Sequence, residues 1–245
     1  MEAQSKGRDL AELVVSYGLI LLVLWTPRPA QRWLYFLTLA WIVFTTIRSF
    51  PGWRPLGFCF AGLLRSLWVV GAAALVAAGA AMVASRLHTL HSPSGLAQWI
   101  KIFLGYVVWS LVQQYLLQGY FLLRLVRLLP RPGLAAIAAA VIFAVAHLPN
   151  PILTPVTLLW GLVACLVFLR FRNIYPLAVA HAMLGICIAV TIPAPVSHHM
   201  RVGLGYLTYR APHLAYLSQS DHTVSTVAWV MAEAPTRRWA RQALP

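Results

Sequence analysis

Residues 102–123 read IFLGYVVWSLVQQYLLQGYFLL, and the reading of this stretch decides the fold. The hydrocarbon core of a bilayer is about 30 Å thick and takes about 20 apolar residues of helix to cross. The stretch is long enough, yet it holds Gln113, Gln114 and Gln118. An amide in hydrocarbon has no water to bond with, so it must find a partner inside the protein. On a helix of 3.6 residues per turn, Tyr106, Ser110, Gln113, Gln114 and Gln118 share one face. That face is expected to look into a helix bundle or a wet cavity. A single glutamine reads as glue between helices; three on one stripe equally suit a cavity lining.

Working outward, the rest of the chain is of the same kind. Hydrophobic residues make up 60% of the 245 and charged residues 10%. A soluble domain is nearer half apolar and a quarter charged, so the composition indicates an all-α, polytopic membrane bundle. Apolar runs predict seven spans, at 10–26, 32–48, 58–84, 98–127, 133–148, 153–170 and 174–193. The first run follows a mixed-charge start without a small-residue cleavage site, so it reads as a retained span. The organisation expected is N-terminal spans over 1–97, a core over 98–193 and an extramembrane tail over 194–245.

The formal charge of +14 does not indicate nucleic acid, because the basic residues are spread over loops. They fit the positive-inside rule instead. With the N-terminus inside, ten basic residues from Lys6 to Arg172 fall on the cytoplasmic side, against Arg28, Arg32, Arg86 and Lys101 opposite. The expected location is therefore the cell membrane, multi-pass, with a cytoplasmic N-terminus. Cys59, Cys165 and Cys187 lie in apolar runs with no zinc or redox spacing and read as small buried hydrophobes.

Two histidines join the glutamines inside the membrane body. His147 ends AAIAAAVIFAVAH (135–147), one helical turn after Phe143, and His181 lies in IYPLAVAHAMLGICIAV (174–190). Small residues flank both, as expected of central helices that approach closely. A lone intramembrane histidine is more often a hydrogen-bonded structural residue than a base. Two of them with a glutamine stripe, on three spans, point to one convergent site. No acidic residue lies between Glu12 and Asp221, so chemistry in the membrane body must run without a local carboxylate.

The order and surroundings of these segments resemble the CPBP family, the CAAX-protease and bacteriocin-processing (Abi) intramembrane endopeptidases. That family carries EExxxR on one span, FxxxH on the next, and HxxxN or HxxxD on a later one. The matching segments here are QQYLLQ (113–118), FAVAH (143–147) and HAMLG (181–185), with GYFLLRLVR, HLPNP and IYPLAVAHA around them. The resemblance spans about 98–193 and implies a CPBP-like four-helix core. It places Gln113 and Gln114 at the two Glu positions, Gln118 at the Arg position and Gly185 at the Asn or Asp position. Phe143, His147 and His181 match as they stand. It implies catalytic roles for Gln113, Gln114, His147 and His181, and binding roles for Gln118, Phe143 and Gly185. An amide has no useful basicity near neutral pH and cannot replace a carboxylate as general base.

Three functions follow as expectations. The first is an intramembrane endopeptidase using a histidine as base, histidine being basic near pH 7. The second is a relative without catalysis that binds lipidated or membrane peptides. The third is a repurposed pocket for an isoprenoid or lipid, or a histidine-ligated metal or haem. Gln-His-His without a carboxylate makes a poor zinc site, so no metal ligands are assigned and the cofactor is left unknown. The expected partners are the lipid bilayer and a membrane-anchored or lipidated peptide, not nucleic acid.

Overall fold

Runs of Ala, Leu and Val broken by Pro and Gly fold here into helices throughout; no strand occurs among the described residues. The computed structural model describes residues 2–91, 93 and 95–209, with the side chains of 2–5 left aside. Helices α1 (Glu2–Trp25) and α2 (Ala30–Arg48) form an antiparallel pair. After a loop come α3 (Leu63–Ser66) and α4 (Trp68–Arg86), then α5 (Leu96–Gln114). A π-helical stretch, Tyr115–Leu122, joins α5 to α6 (Leu123–Leu128). Then follow α7 (Pro132–Val145), α8 (Leu153–Phe171), α9 (Tyr175–Thr191), α10 (Ala194–Ser197), a 3-10 turn (His198–Met200) and α11 (Leu204–Leu207).

The burial pattern is that of a membrane protein. Large apolar side chains cover the outside, among them Trp33, Leu75, Leu96 and Leu159, while Asp9, Glu12, Gln114 and Gln118 are buried. Such an inversion suits a surface that meets lipid. By length and composition, Leu63–Arg86, Leu96–Leu128 and Leu153–Phe171 can each cross a bilayer. The bent pair Tyr175–Thr191 and Ala194–Met200, turning by 120°, makes a fourth candidate, and Pro132–Val145 is a shorter apolar helix.

The third expected span differs at its start. Residues 58–62 form a loop, with Gly57 and Gly62 in the left-handed region. Asn173 holds that loop by donating from Nδ2 to the carbonyls of Cys59 and Ala61, at 2.6 and 3.2 Å. Cys59 therefore sits in this loop rather than in an apolar span.

Helix α9 is the centre of the packing that matters for the site. It lies against α4 and α5, while α7 and α8 form a tight hairpin whose faces reach the π-helical stretch. After α9 the chain turns back: Asn150 Nδ2 donates to the carbonyls of Ser197 and Arg201, and Gly203 N donates to Leu148 O at 2.7 Å. Gly203 has a positive φ, and a Cβ there would run into the Leu24 carbonyl, so only glycine lets the returning strap settle on α1. The strap comprises residues 192–209; residues 210–245 of the expected tail lie outside the described residues.

Candidate functional site

The polar stripe of α5 turns inward at two of its three glutamines. Gln114 and Gln118 are fully buried, whereas Gln113 is half-buried and its side chain makes no hydrogen bond with a described residue. Gln118 Nε2 donates to Gln114 Oε1 at 2.6 Å, and Gln114 Nε2 stands 2.9 Å from His181 Nδ1. The glutamine joined to a histidine is thus the second of the pair, not the first. The π-helical stretch starting at Tyr115 places Gln118 beneath Gln114 while altering the winding that a 3.6-residue wheel assumes.

Both imidazoles border the ring of Phe143. His147 meets it edge-on with centroids 4.8 Å apart, and His181 edge-on at 5.9 Å. His147 lies in the turn after α7, and its Nδ1 bonds back to the Phe143 carbonyl at 2.7 Å. Phe143, one turn before His147, is the residue that both imidazoles reach. The HLPN segment that follows is fixed by Asn150, whose Oδ1 accepts from the N–H groups of Ile152 and Leu153 in a turn that leads into α8.

These bonds assign each imidazole a tautomer. A carbonyl can only accept, so His147 carries its proton on Nδ1 and keeps a lone pair on Nε2. For His181 the two amides decide. In the arrangement Gln118 to Gln114 to His181, Nδ1 accepts and the proton sits on Nε2; the group without a partner is Gln118 Oε1. Reversing the relay would leave the Gln118 N–H groups buried and unpaired, and bare donors are rarer and more costly than a bare carbonyl. The site thus holds one imidazole with a basic Nε2 and another with a donating Nε2–H.

Gly185 lies one turn beyond His181 on α9. A Cβ there would stand 3.2 Å from Tyr106 Cε1, so the Tyr106 ring rests directly on the glycine. The room that an Asn or Asp would need is taken by this ring, whose hydroxyl meets Met200 Sδ of the strap at 3.5 Å.

One wall of the site carries no signal in the sequence. Trp160 of α8 faces His181 with ring centroids 5.9 Å apart and is 8% exposed. Its indole N–H has no partner among the described residues. Burying such a donor unpaired costs about 1–3 kcal/mol. Nothing in the apolar run around Trp160 marks it from sequence alone.

The two described carboxylates lie elsewhere. Glu12 Oε2 accepts from Arg124 Nη2 at 2.7 Å, and Asp9 Oδ2 from Arg127 Nε at 2.6 Å. Arg124 follows Gln114 by ten residues, about 15 Å along the helix axis. A water-sized cavity of about 10 Å³, lined by Thr46, Ser49, Tyr115, Arg124 and Arg127 among others, belongs to that charged end. Among the described residues, no group of three His, Cys, Asp or Glu side chains is placed to hold a metal ion.

Comparison with known families gives one match. The model of the Rce1-like family, type II CAAX prenyl endopeptidase Rce1-like, matches residues 93–187. That range runs from just before α5 into α9 and contains Gln114, Phe143, His147, Trp160 and His181. No curated protein and no solved structure matches the chain.

Proposed function

We propose that this chain, in which residues 93–187 are an Rce1-like domain, is a CAAX-type intramembrane endopeptidase that hydrolyses a membrane-anchored peptide slowly through a histidine base. The observation that carries the proposal is that the two imidazoles bordering Phe143 meet opposite kinds of group at Nδ1, a carbonyl at His147 and a glutamine amide at His181, which gives their Nε2 atoms opposite roles. His147 Nε2 takes a proton from water, and the water oxygen attacks the scissile carbonyl carbon. The carbonyl π pair moves onto oxygen, where His181 Nε2–H donates to the oxyanion. Collapse breaks the C–N bond, and the proton held by His147 passes to the leaving amine. The products are a carboxylic acid and an amine.

Slow turnover follows from the same geometry. In water-activating sites a carboxylate base typically contributes 10²–10⁴-fold, and amides stand at the positions the family gives to Glu. A reading without catalysis, in which the site only binds peptide, has one observation in its favour: Asp9 and Glu12 are both held by arginines about 15 Å along the helix. The N-terminus is proposed to be cytoplasmic, on the ten-to-four bias of basic residues over the loops.

Incubating the purified full-length protein in liposomes with prenylated, carboxyl-terminal peptides tests this. Cleavage that is lost in His147→Ala and in His181→Ala is the expected result. Peptide binding without cleavage would leave only the binding function.

A further inference from the structure

The unpaired indole of Trp160 has a place in this site. The aromatic cluster of Phe143, His147 and His181 is closed on one side by α8. Helix α8 comes close because residue 161 is glycine: a Cβ there would stand 3.3 Å from Phe143 Cδ1 and from the Ala140 backbone. That approach seats the neighbouring Trp160 ring against the imidazole of His181, within the apolar run 158–169 of α8. If volume alone were needed, phenylalanine or leucine would fill the space without burying a donor. Instead a nine-tenths buried N–H ends beside the one imidazole that also presents a donor.

We propose that Trp160 Nε1–H donates a hydrogen bond to the carbonyl oxygen of the bound peptide. With His181 Nε2–H it forms a two-donor pocket for the oxyanion. This deepens the endopeptidase reading and rests on it. Two converging N–H donors are what a developing negative oxygen requires, and in a dry site each acts at full strength. The ligand satisfies the donor, so the cost of the bare N–H is relieved only when substrate is present. Trp160 thereby joins the residues that touch substrate. Gln118 Oε1, the other unpaired atom, ends the opposite side of the relay and takes no part.

The test uses full-length protein in nanodiscs, labelled with ¹⁵N at its tryptophans. The probe is a tetrapeptide whose leading cysteine carries a farnesyl thioether. The Nε1–H resonance of Trp160 is identified by its absence in Trp160→Phe. A second variant replaces Trp160 with 3-benzothienylalanine, which keeps the ring volume and puts sulfur where the N–H was. The expected result is a downfield move of the Trp160 resonance on peptide binding, and weaker binding by the sulfur variant, about fivefold to a hundredfold. If the peptide binds, the resonance stays still and the sulfur variant binds equally well, the proposal is overturned while the endopeptidase reading stands. If neither wild type nor Gln114→Glu binds the peptide, both fall together.

Discussion

Two halves of one continuous helix solve the problem of buried polarity in opposite ways. From Tyr120 to Arg127 it is charged and fully paired, while from Ser110 to Gln118 it is neutral and only partly paired. At the charged end Arg124 donates to Glu12 from Nε and Nη2, to Ser49 from Nη2 and to the Tyr120 carbonyl from Nη1. Its guanidinium also lies 3.7 Å from the centroid of the Tyr120 ring. At the neutral end two amides and an imidazole form a relay with one orphan carbonyl, next to an orphan indole N–H. Full satisfaction marks an element that holds the bundle together; incomplete satisfaction marks one arranged around something else. The two described carboxylates are taken up by arginines, and the surroundings of His181 are left to neutral groups.

The largest effect should come from breaking the charged half. In Arg124→Ala, Glu12 loses its 2.7 Å partner, keeps the distant Arg8 contact at 3.8 Å and is left buried. Removing one partner of a buried ion pair costs about 3–5 kcal/mol. Thermal unfolding in detergent should show that loss, and adding Glu12→Gln should recover part of it. A single variant as stable as wild type would mean that the pair contributes nothing and that the contrast between the two halves is false.

Next in size is a change that gives the neutral half a charge. In Gln114→Glu the new carboxylate accepts from the Gln118 amide and, where Gln114 now donates to His181 Nδ1, accepts from that nitrogen instead, so that His181 takes up a second proton on Nδ1 and keeps its Nε2–H. A base restored at this point should raise peptide cleavage about 10²-fold. The same change at Gln113, which has no hydrogen bond to a described residue, should do much less. Equal gains at both positions would show that the pairing of Gln114 with His181 does not govern the chemistry.

What was legible in the sequence follows the same division. The apolar runs indicated a helical membrane protein, since composition survives any detail of packing, and the resemblance carried by residues 113–118, 143–147 and 181–185 falls within the range that the Rce1-like family model matches. Which of Gln113 and Gln114 meets a histidine was not legible. Both fall on one face of a regular helix, and a choice between them needs the actual rotation of α5 against α9. The winding change at Tyr115 also has no sequence signature. Asp9 and Glu12 read as part of a mixed-charge start; their burial came from pairing with arginines more than a hundred residues on, which no local pattern shows. Trp160 was invisible for the reason that a tryptophan in an apolar helix looks like core.

A smaller effect is expected where the charged half is tied to the first two helices. The Tyr120 hydroxyl is 2.7 Å from Ser16 Oγ and 2.7 Å from Thr45 Oγ1, and Trp41 Nε1 donates to the same serine at 3.0 Å. Tyr120→Phe removes both bonds while Ser16 keeps Trp41 and Thr45 keeps its own backbone carbonyls. The loss in stability should be about 1–2 kcal/mol, read as a lower midpoint in the same detergent unfolding. Cleavage by the folded fraction should not change, because the hydroxyl bonds nothing at the neutral end. A specific loss of turnover would tie the two halves together after all.

The smallest effect is expected from Gly185→Ala, which bears on the neutral half alone. The added methyl would stand 3.2 and 3.3 Å from Cε1 and Cδ1 of Tyr106, so the ring must give by a few tenths of an ångström. Among the described residues the Tyr106 side chain makes one hydrogen bond, to Met200 Sδ, a weak acceptor, so that bond does little to stop the ring from yielding. Overpacking of this kind costs about 1 kcal/mol. If the ring is what the methyl meets, the cost should vanish in a Tyr106→Leu background, and the cycle of four proteins should show coupling of about that size. If the methyl costs the same in both backgrounds, the backbone of α9 is resisting rather than the ring. The room beside His181 would then be set by α9 itself, and no side chain could be fitted at residue 185 without moving that histidine away from Gln114.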